Sequence, residues 1–286
     1  MKKNYHVIIY GNGYWSKILQ QHIKSYSYIL KIIGIVDIGT IKQKEEEMLE
    51  EADLAFVCTP VATHYSIVKK LLLKNIHVFC EKILAQTYEE AIDLYDLSYK
   101  RNLLLFVDYT YLYSQGINYI KKNVSLIGTI KSVNGEITQY GKFYPNGNAV
   151  ETIGVHLFSV LRYIVNRENN YTKNEIIKMN NYKEINNYYY SGRLGNIDIH
   201  IHCSLLSATK RRYIEFVGTK GIISYDMLSK KTVKIIIYGE DEKHISFDES
   251  SNLDNVIKAV IHHLYNKDYK QYNNIGLKIQ KDIDCL

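Results

Sequence analysis

Five short apolar runs punctuate the first hundred or so residues, at positions 5–10, 31–36, 54–58, 76–80 and 103–107. The first is rich in β-branched residues, and each stops at a turn or a charge: Gly11-Asn12-Gly13, Asp37, Thr59-Pro60, Glu81-Lys82 and Asp108. Between them the apolar residues fall at helical spacing, as with Ile18, Leu19 and Ile23, then Ile67, Leu71 and Leu72, then Ala91, Leu94 and Leu97. Continuous apolar strands alternating with amphipathic helices predict a parallel sheet covered on both faces. Ligands of such sheets sit at the carboxyl ends of the strands, where these turn residues fall.

From about residue 125 the period changes to two. Residues 196–204 place Ile197, Ile199, Ile201 and Cys203 on one face and Asp198, His200, His202 and Ser204 on the other, after a Gly195-Asn196 hairpin turn. Strands are also predicted at 212–217, 221–225 and 233–238, and helices at 149–165 and 252–265. The Asn- and Tyr-rich residues 166–187 carry no clear period and receive no element. The fold class is therefore α/β: a Rossmann-like doubly wound parallel-sheet domain over 1–115, then an α+β domain with a mostly antiparallel open sheet over 116–286.

Composition narrows the function classes. With 286 residues, 46% hydrophobic and 23% charged, the chain can bury a real core. No apolar run reaches the roughly 18 residues that cross a bilayer, so no membrane partner is expected and the chain reads as soluble and cytoplasmic. The four cysteines show no CxxC and read as reduced core thiols rather than a disulfide framework or a zinc site. The net charge of +6 is spread along the chain, which argues against nucleic acid; Lys210-Arg211-Arg212 reads as a solvated strand end. His200 and His202 share a strand face without a Cys or carboxylate at ligand spacing, so no metal is expected.

Gly11-x-Gly13, with Tyr14 and Trp15 opening the next helix, lets the backbone approach a pyrophosphate at a helix N-terminus; Ser16 takes the third position of G-x-G-x-x-G. Asp37, 26 residues beyond Gly11, ends the second strand where a carboxylate accepts ribose hydroxyls and repels a 2′-phosphate. That favours NAD over NADP as cofactor. Thr59, Pro60 and His64 on one turn, and Glu81 and Lys82 on another, fall on the same sheet edge and complete the candidate cofactor site. On the helix at 149–165, Ile153, Leu157, Val160, Leu161 and Ile164 form an apolar face, while Thr152, His156, Ser159 and Tyr163 form a polar stripe. Tyr109, Tyr111 and Tyr113 read as packing at the junction of the domains.

The ordered series GxGxxS, Asp37, ADLAFVCTPVATH, NIHVFCEK, Leu103 to Tyr109, IGTI, the stretch around His156 and FVGTKG resembles the Gfo/Idh/MocA oxidoreductase family nearly end to end. The resemblance implies that Lys82, in Glu81-Lys82-Ile83 where the family has Glu-Lys-Pro, lies beside the nicotinamide, and that His156 is the proton-transferring residue of an Asp-x-x-x-His motif whose Asp is Thr152 here. A base near neutral pH and a cation at the same oxygen suit the interconversion of a secondary alcohol and a ketone. Glu151, about 100° around a regular helix from Thr152, cannot replace the missing Asp. Only one acidic helix fits between Asp37 and Ala52, where the family usually has a helix and a strand, so the adenine side should be more open. The implied substrate is a sugar, nucleotide-linked, in surface-polysaccharide synthesis, and the open sheet implies a homo-oligomer. Two further readings stay open: a catalytically weakened NAD-binding sensor or partner protein, and a tetrapyrrole reductase of the biliverdin type.

Overall fold

The computed structural model describes residues 4–141, 143, 148–166, 171–181, 184–228, 232–248, 251–269 and 271–285. It divides into two compact units, Met1–Thr110 with Ser251–Asp284, and Tyr111–Ser250 with the last two residues. Among the described residues no helix is long and apolar enough to cross a membrane.

The first unit runs β1 (Tyr5–Tyr10), α1 (Tyr14–Lys24), β2 (Leu30–Val36), α2 (Lys42–Glu51), β3 (Leu54–Val57), α3 (His64–Leu73), β4 (His77–Cys80), α4 (Tyr88–Arg101) and β5 (Leu105–Val107). The sheet order is β2-β1-β3-β4-β5, with every pair parallel. All four side chains of β3 are fully buried, as are Val7, Ile8 and Ile9 of β1, which is why these runs show no alternation. Each large side chain among them stabilises the unit by about 1.5–3 kcal/mol. Helix limits are local: Thr87 caps α4 by accepting from the Glu90 N–H at 3.2 Å, and Asn102, left-handed at φ 53, closes it. As expected, one helix, α2, joins Asp37 to β3.

The second unit contains α5 (Gln115–Asn123), β6 (Ile130–Tyr140), α6 (Val155–Val165), β7 (Tyr171–Asn181), β8 (Glu184–Leu194), β9 (Ile197–Ser204), β10 (Leu206–Gly218), β11 (Gly221–Asp226), β12 (Thr232–Ile237) and β13 (Lys243–Ser246). Its sheet order is β13-β12-β11-β10-β6-β9-β8-β7, antiparallel except for the β6·β9 pair. The strands β7 and β8 occupy much of the stretch that carries no legible period. In β8 the reason is visible: Tyr188 and Tyr190 are buried at 1% and 2% while Tyr189 is 41% exposed, so the same residue type stands on both faces.

The chain then forms α7 (Asn252–Asn266) and α8 (Gln271–Cys285). These helices belong with the first unit, which corrects the division at 116–286. The Tyr5 hydroxyl donates to the Leu264 carbonyl at 3.4 Å, His22 Nδ1 pairs with Asp254 at 2.7 Å, and Gln280 Nε2 donates to the Ala85 carbonyl at 3.2 Å. Contacts between residues this far apart leave no trace in a local pattern.

Candidate functional site

On the first unit the site is built from strand ends. Gly11 has φ +90, and a Cβ there would stand 2.9 Å from the Cys58 carbonyl oxygen, so the turn after β1 can approach β3 only as glycine. Gly13 is the N-cap of α1 with no side-chain cap, and a Cβ on it would meet nothing within 4 Å. The space beside Gly13 at the start of α1 is thus open, an arrangement that fits a dinucleotide pyrophosphate at the helix N-terminus. Ser16, only 1% exposed, donates to the Gly11 carbonyl at 2.7 Å and ties helix to turn. Tyr14 is 68% exposed; the Trp15 indole N–H donates to Glu81 Oε1. At the end of β2, exposed Asp37 accepts the Ile38 N–H at 2.9 Å, and the Ile38 side chain stands in solvent.

Thr59 and Pro60 follow β3, with the Thr63 hydroxyl donating to Thr59 Oγ1 at 2.8 Å. His64 departs from expectation. It is 1% exposed, and its two ring nitrogens face the Ile83 and Thr59 carbonyl oxygens, each at 2.8 Å. Both polar atoms of the ring thus face backbone oxygens, with the one N–H of the neutral ring able to donate to either, so His64 braces the β3 and β4 turns from behind instead of reaching toward a cofactor. Burial lowers its pKa, against the two carbonyls, which raise it.

At the ends of β4 and β5 the in-register pair Cys80↔Val107 is followed by Glu81 and Asp108, with the Asp108 N–H bonded to the Cys80 carbonyl at 2.9 Å. Adjacent parallel strands in register put both carboxyls on one face. Asp108 is fully buried and accepts the Thr110 hydroxyl at 2.8 Å. Its pKa is pushed up to about 6 by burial, against the Thr110 bond, the Lys82 charge and a bond from Glu81. Glu81 is held well above the carboxylate range by burial first and the Asp108 charge second, with Lys82 and Trp15 opposing. Lys82 follows, joined to Ile83 by a cis peptide. In the sequence Asp108 reads only as a strand terminator; its register beside Glu81 is the signal that marks it.

On the second unit His156 is half-buried in the first turn of α6, edge-on to the Tyr111 ring at 4.9 Å. Ser159 is fully buried and donates to the His156 carbonyl at 2.8 Å, so it drops out of the polar stripe. Residues Val150–Gly154 form a π-helical turn, so the 100° step between Glu151 and Thr152 expected of a regular helix does not hold. Gly154 lies where a Cβ would meet Cys203 Sγ at 2.7 Å, which lets this segment press onto β9. Arg212 corrects another expectation: Lys210 and Arg211 are exposed, but Arg212 is 6% exposed and donates to the Thr138 carbonyl at 2.8 Å and to Gln139. Tyr111 is half-buried, and desolvation of its hydroxyl raises its pKa against Arg212. The outer sheet face bears a hollow of about 510 Å3 lined by Glu136, Tyr189, His200, His202 and Arg211 among others. There His202 stacks on Tyr189 at 3.9 Å and bonds Asn187 at 2.8 Å.

Comparison with known proteins adds to this geometry. Residues 7–109 match the family model described as oxidoreductase family, NAD-binding Rossmann fold. Biliverdin reductase A of Mus musculus is 22% identical over 195 residues, 62% of this chain and 66% of that protein. An uncharacterized oxidoreductase of Schizosaccharomyces pombe is 42% identical over 64 residues, 22% of this chain and 17% of its own. The chain thus spans less than two thirds of each of these curated relatives. The fold of UDP-N-acetylglucosamine 3-dehydrogenase from Acidithiobacillus ferrooxidans is similar at TM-score 0.84 and 15% identity, covering 98% of this chain and 95% of that one. A 3-ketoreductase from Actinomadura kijaniata in complex with NADP and TDP-benzene is similar at TM-score 0.85 and 14% identity, covering 99% and 97%. The family match thus covers residues 7–109, the parallel-sheet region of this chain, and the likeness to the solved structures shows the fold of the whole.

Proposed function

We propose that the protein interconverts a secondary alcohol and a ketone on a sugar, nucleotide-linked and destined for a surface polysaccharide, with NAD preferred over NADP. The observation that carries the reading is Lys82 at the carboxyl end of β4, on the sheet edge where Gly13 leaves the first turn of α1 uncapped and open. Gly11, Gly13 and the α1 N–H groups would hold the pyrophosphate, and Asp37 the adenosine ribose. The Actinomadura neighbour's NADP leaves the choice of cofactor to the Asp37 charge, which repels a 2′-phosphate. When bound, the nicotinamide supplies or accepts the hydride.

The chain's own residues handle the oxygen and its proton. Lys82 donates a hydrogen bond to the reacting oxygen, and its charge favours the developing alkoxide. His156 takes the hydroxyl proton in oxidation and returns it in reduction. Thr152 brings no negative charge to favour an imidazolium, so turnover should be slower than with an Asp there. The outer face of the second sheet is proposed to pair with another copy, and the compartment to be the cytoplasm.

The test is turnover of a panel of nucleotide sugars with both cofactors, followed by absorbance of the reduced nicotinamide, for wild type and His156→Ala. A rate lower by about 10² in the variant fits a proton-transferring His156. Equal rates make His156 structural. Wild type that binds NAD yet turns over nothing favours the sensor reading, and reduction of biliverdin in preference to any sugar favours the tetrapyrrole reading. The same preparation eluting as a monomer at micromolar concentration, by light scattering, would remove the pairing of sheets.

A further inference from the structure

We propose that Glu81 and Asp108 form a carboxyl pair that holds one proton between them at neutral pH and thereby fixes the charge presented to Lys82, acting as positioning residues for the proton step. The consequence at Lys82 rests on the oxidoreductase reading; the pair itself does not. Its geometry comes from the sheet. Cys80 and Val107 are register partners, the Glu81 N–H is bonded to the Val57 carbonyl at 2.9 Å and the Asp108 N–H to the Cys80 carbonyl at 2.9 Å, so the ladder sets both strand ends side by side. Asp108 is fully buried; Oδ1 accepts from Thr110, and Oδ2 is buried with no ordinary hydrogen bond. Glu81 Oε1 accepts from Trp15.

Two carboxylates side by side, Asp108 fully buried and Glu81 half-buried, cannot both be ionised without strong mutual repulsion. One shared proton removes that repulsion, and a Glu81 hydroxyl directed at Asp108 supplies what Oδ2 lacks. Among the described residues, the other groups that act on the pair bring no second positive charge. Cys58 and Cys80 are thiols whose ionisation burial opposes, and Trp15 and Thr110 are neutral donors. His64, buried behind the turn, is disfavoured as a cation by its burial and by Lys82. With one proton the pair carries a single negative charge against the single positive charge of Lys82. Without it the excess is negative, directly beside the oxygen on which an alkoxide develops.

The chain has one tryptophan, Trp15, and its indole N–H is bonded to Glu81, which gives a reporter that needs no substrate. Fluorescence of the cofactor-free protein should show a transition with a midpoint near pH 6. In Asp108→Asn and in Glu81→Gln it should vanish or move by more than about one pH unit. Infrared spectra at pH 7 should contain a protonated carboxyl band in wild type that Glu81→Gln removes. Absence of that band from wild type, or a fluorescence transition unchanged in Asp108→Asn, overturns the proposal. The wild-type infrared result decides even where a variant fails to fold. In the working enzyme, Asp108→Asn should reshape the pH profile of kcat while leaving KM for the sugar close to wild type. If no sugar is turned over at all, the spectra of the cofactor-free protein still decide the pair, so the two readings fail separately.

Discussion

At the carboxyl ends of β4 and β5, Glu81, Lys82 and Asp108 are packed against one another with Trp15, Thr110 and the His64-braced turn around them; at the end of β2, Asp37 stands in solvent beside the exposed side chain of Ile38. Both ends lie on one parallel sheet. The difference lies in what surrounds the charge. Inside protein a charge acts at a low effective dielectric and its neighbours set its protonation, whereas in water it is screened and contributes little beyond selectivity. A dinucleotide held across such an edge would be gripped weakly at the adenosine end and positioned firmly at the end where chemistry occurs.

The strongest way to break this contrast is at Lys82. Lys82→Ala should lower kcat/KM by about 10² or more while NAD affinity changes little, because the interaction belongs to the transition state. Steady-state kinetics beside calorimetry will check it, and an equal loss of NAD affinity would show Lys82 to be a binding residue instead. Next comes the stability stored around Asp108. Its folded pKa, about 6, lies above the ordinary 3.8, so the folded state binds the extra proton and stability is full below about pH 4 and falls as pH rises through 6. Two units correspond to about 3 kcal/mol, and an Asn NH2 needing a partner costs about 1 of that. Asp108→Asn should therefore be more stable than wild type at pH 8 by about 2 kcal/mol, with no advantage at pH 4; urea unfolding at both pH values measures it. The smallest effect is expected at the exposed end: Asp37→Ala should weaken NAD about tenfold and NADP less, by calorimetry. A change as large as that at Lys82 would erase the distinction between the two ends.

Much of the first unit is legible from sequence because its strands are buried on both faces. Runs such as Leu54-Ala55-Phe56-Val57 carry their own signal, and the turn that follows each strand sits at the carboxyl edge of the sheet. Illegible features depend on distant partners or on a residue type used twice. His64 reads as a ligand until its ring nitrogens are seen on two carbonyls, and Asp108 gains meaning only beside Glu81. The tyrosines of β8 hide an alternation, since hydrophobicity cannot separate Tyr188 and Tyr190 from Tyr189. The phase of Glu151, Thr152 and His156 is lost because a π-helical turn interrupts the 3.6-residue period before α6.

The return of α7 and α8 to the first unit makes the second unit an insertion within the first. During synthesis the parallel sheet emerges first, yet Asp254 for His22, the Leu264 carbonyl for Tyr5 and Gln280 for the Ala85 carbonyl arrive only after the whole antiparallel sheet has been made. The segment born first is thus completed last. Between those moments the nascent β-α units carry uncovered apolar surface, so maturation of the nucleotide-binding half is timed by the translation of the other half and exposed to chaperones and proteases meanwhile.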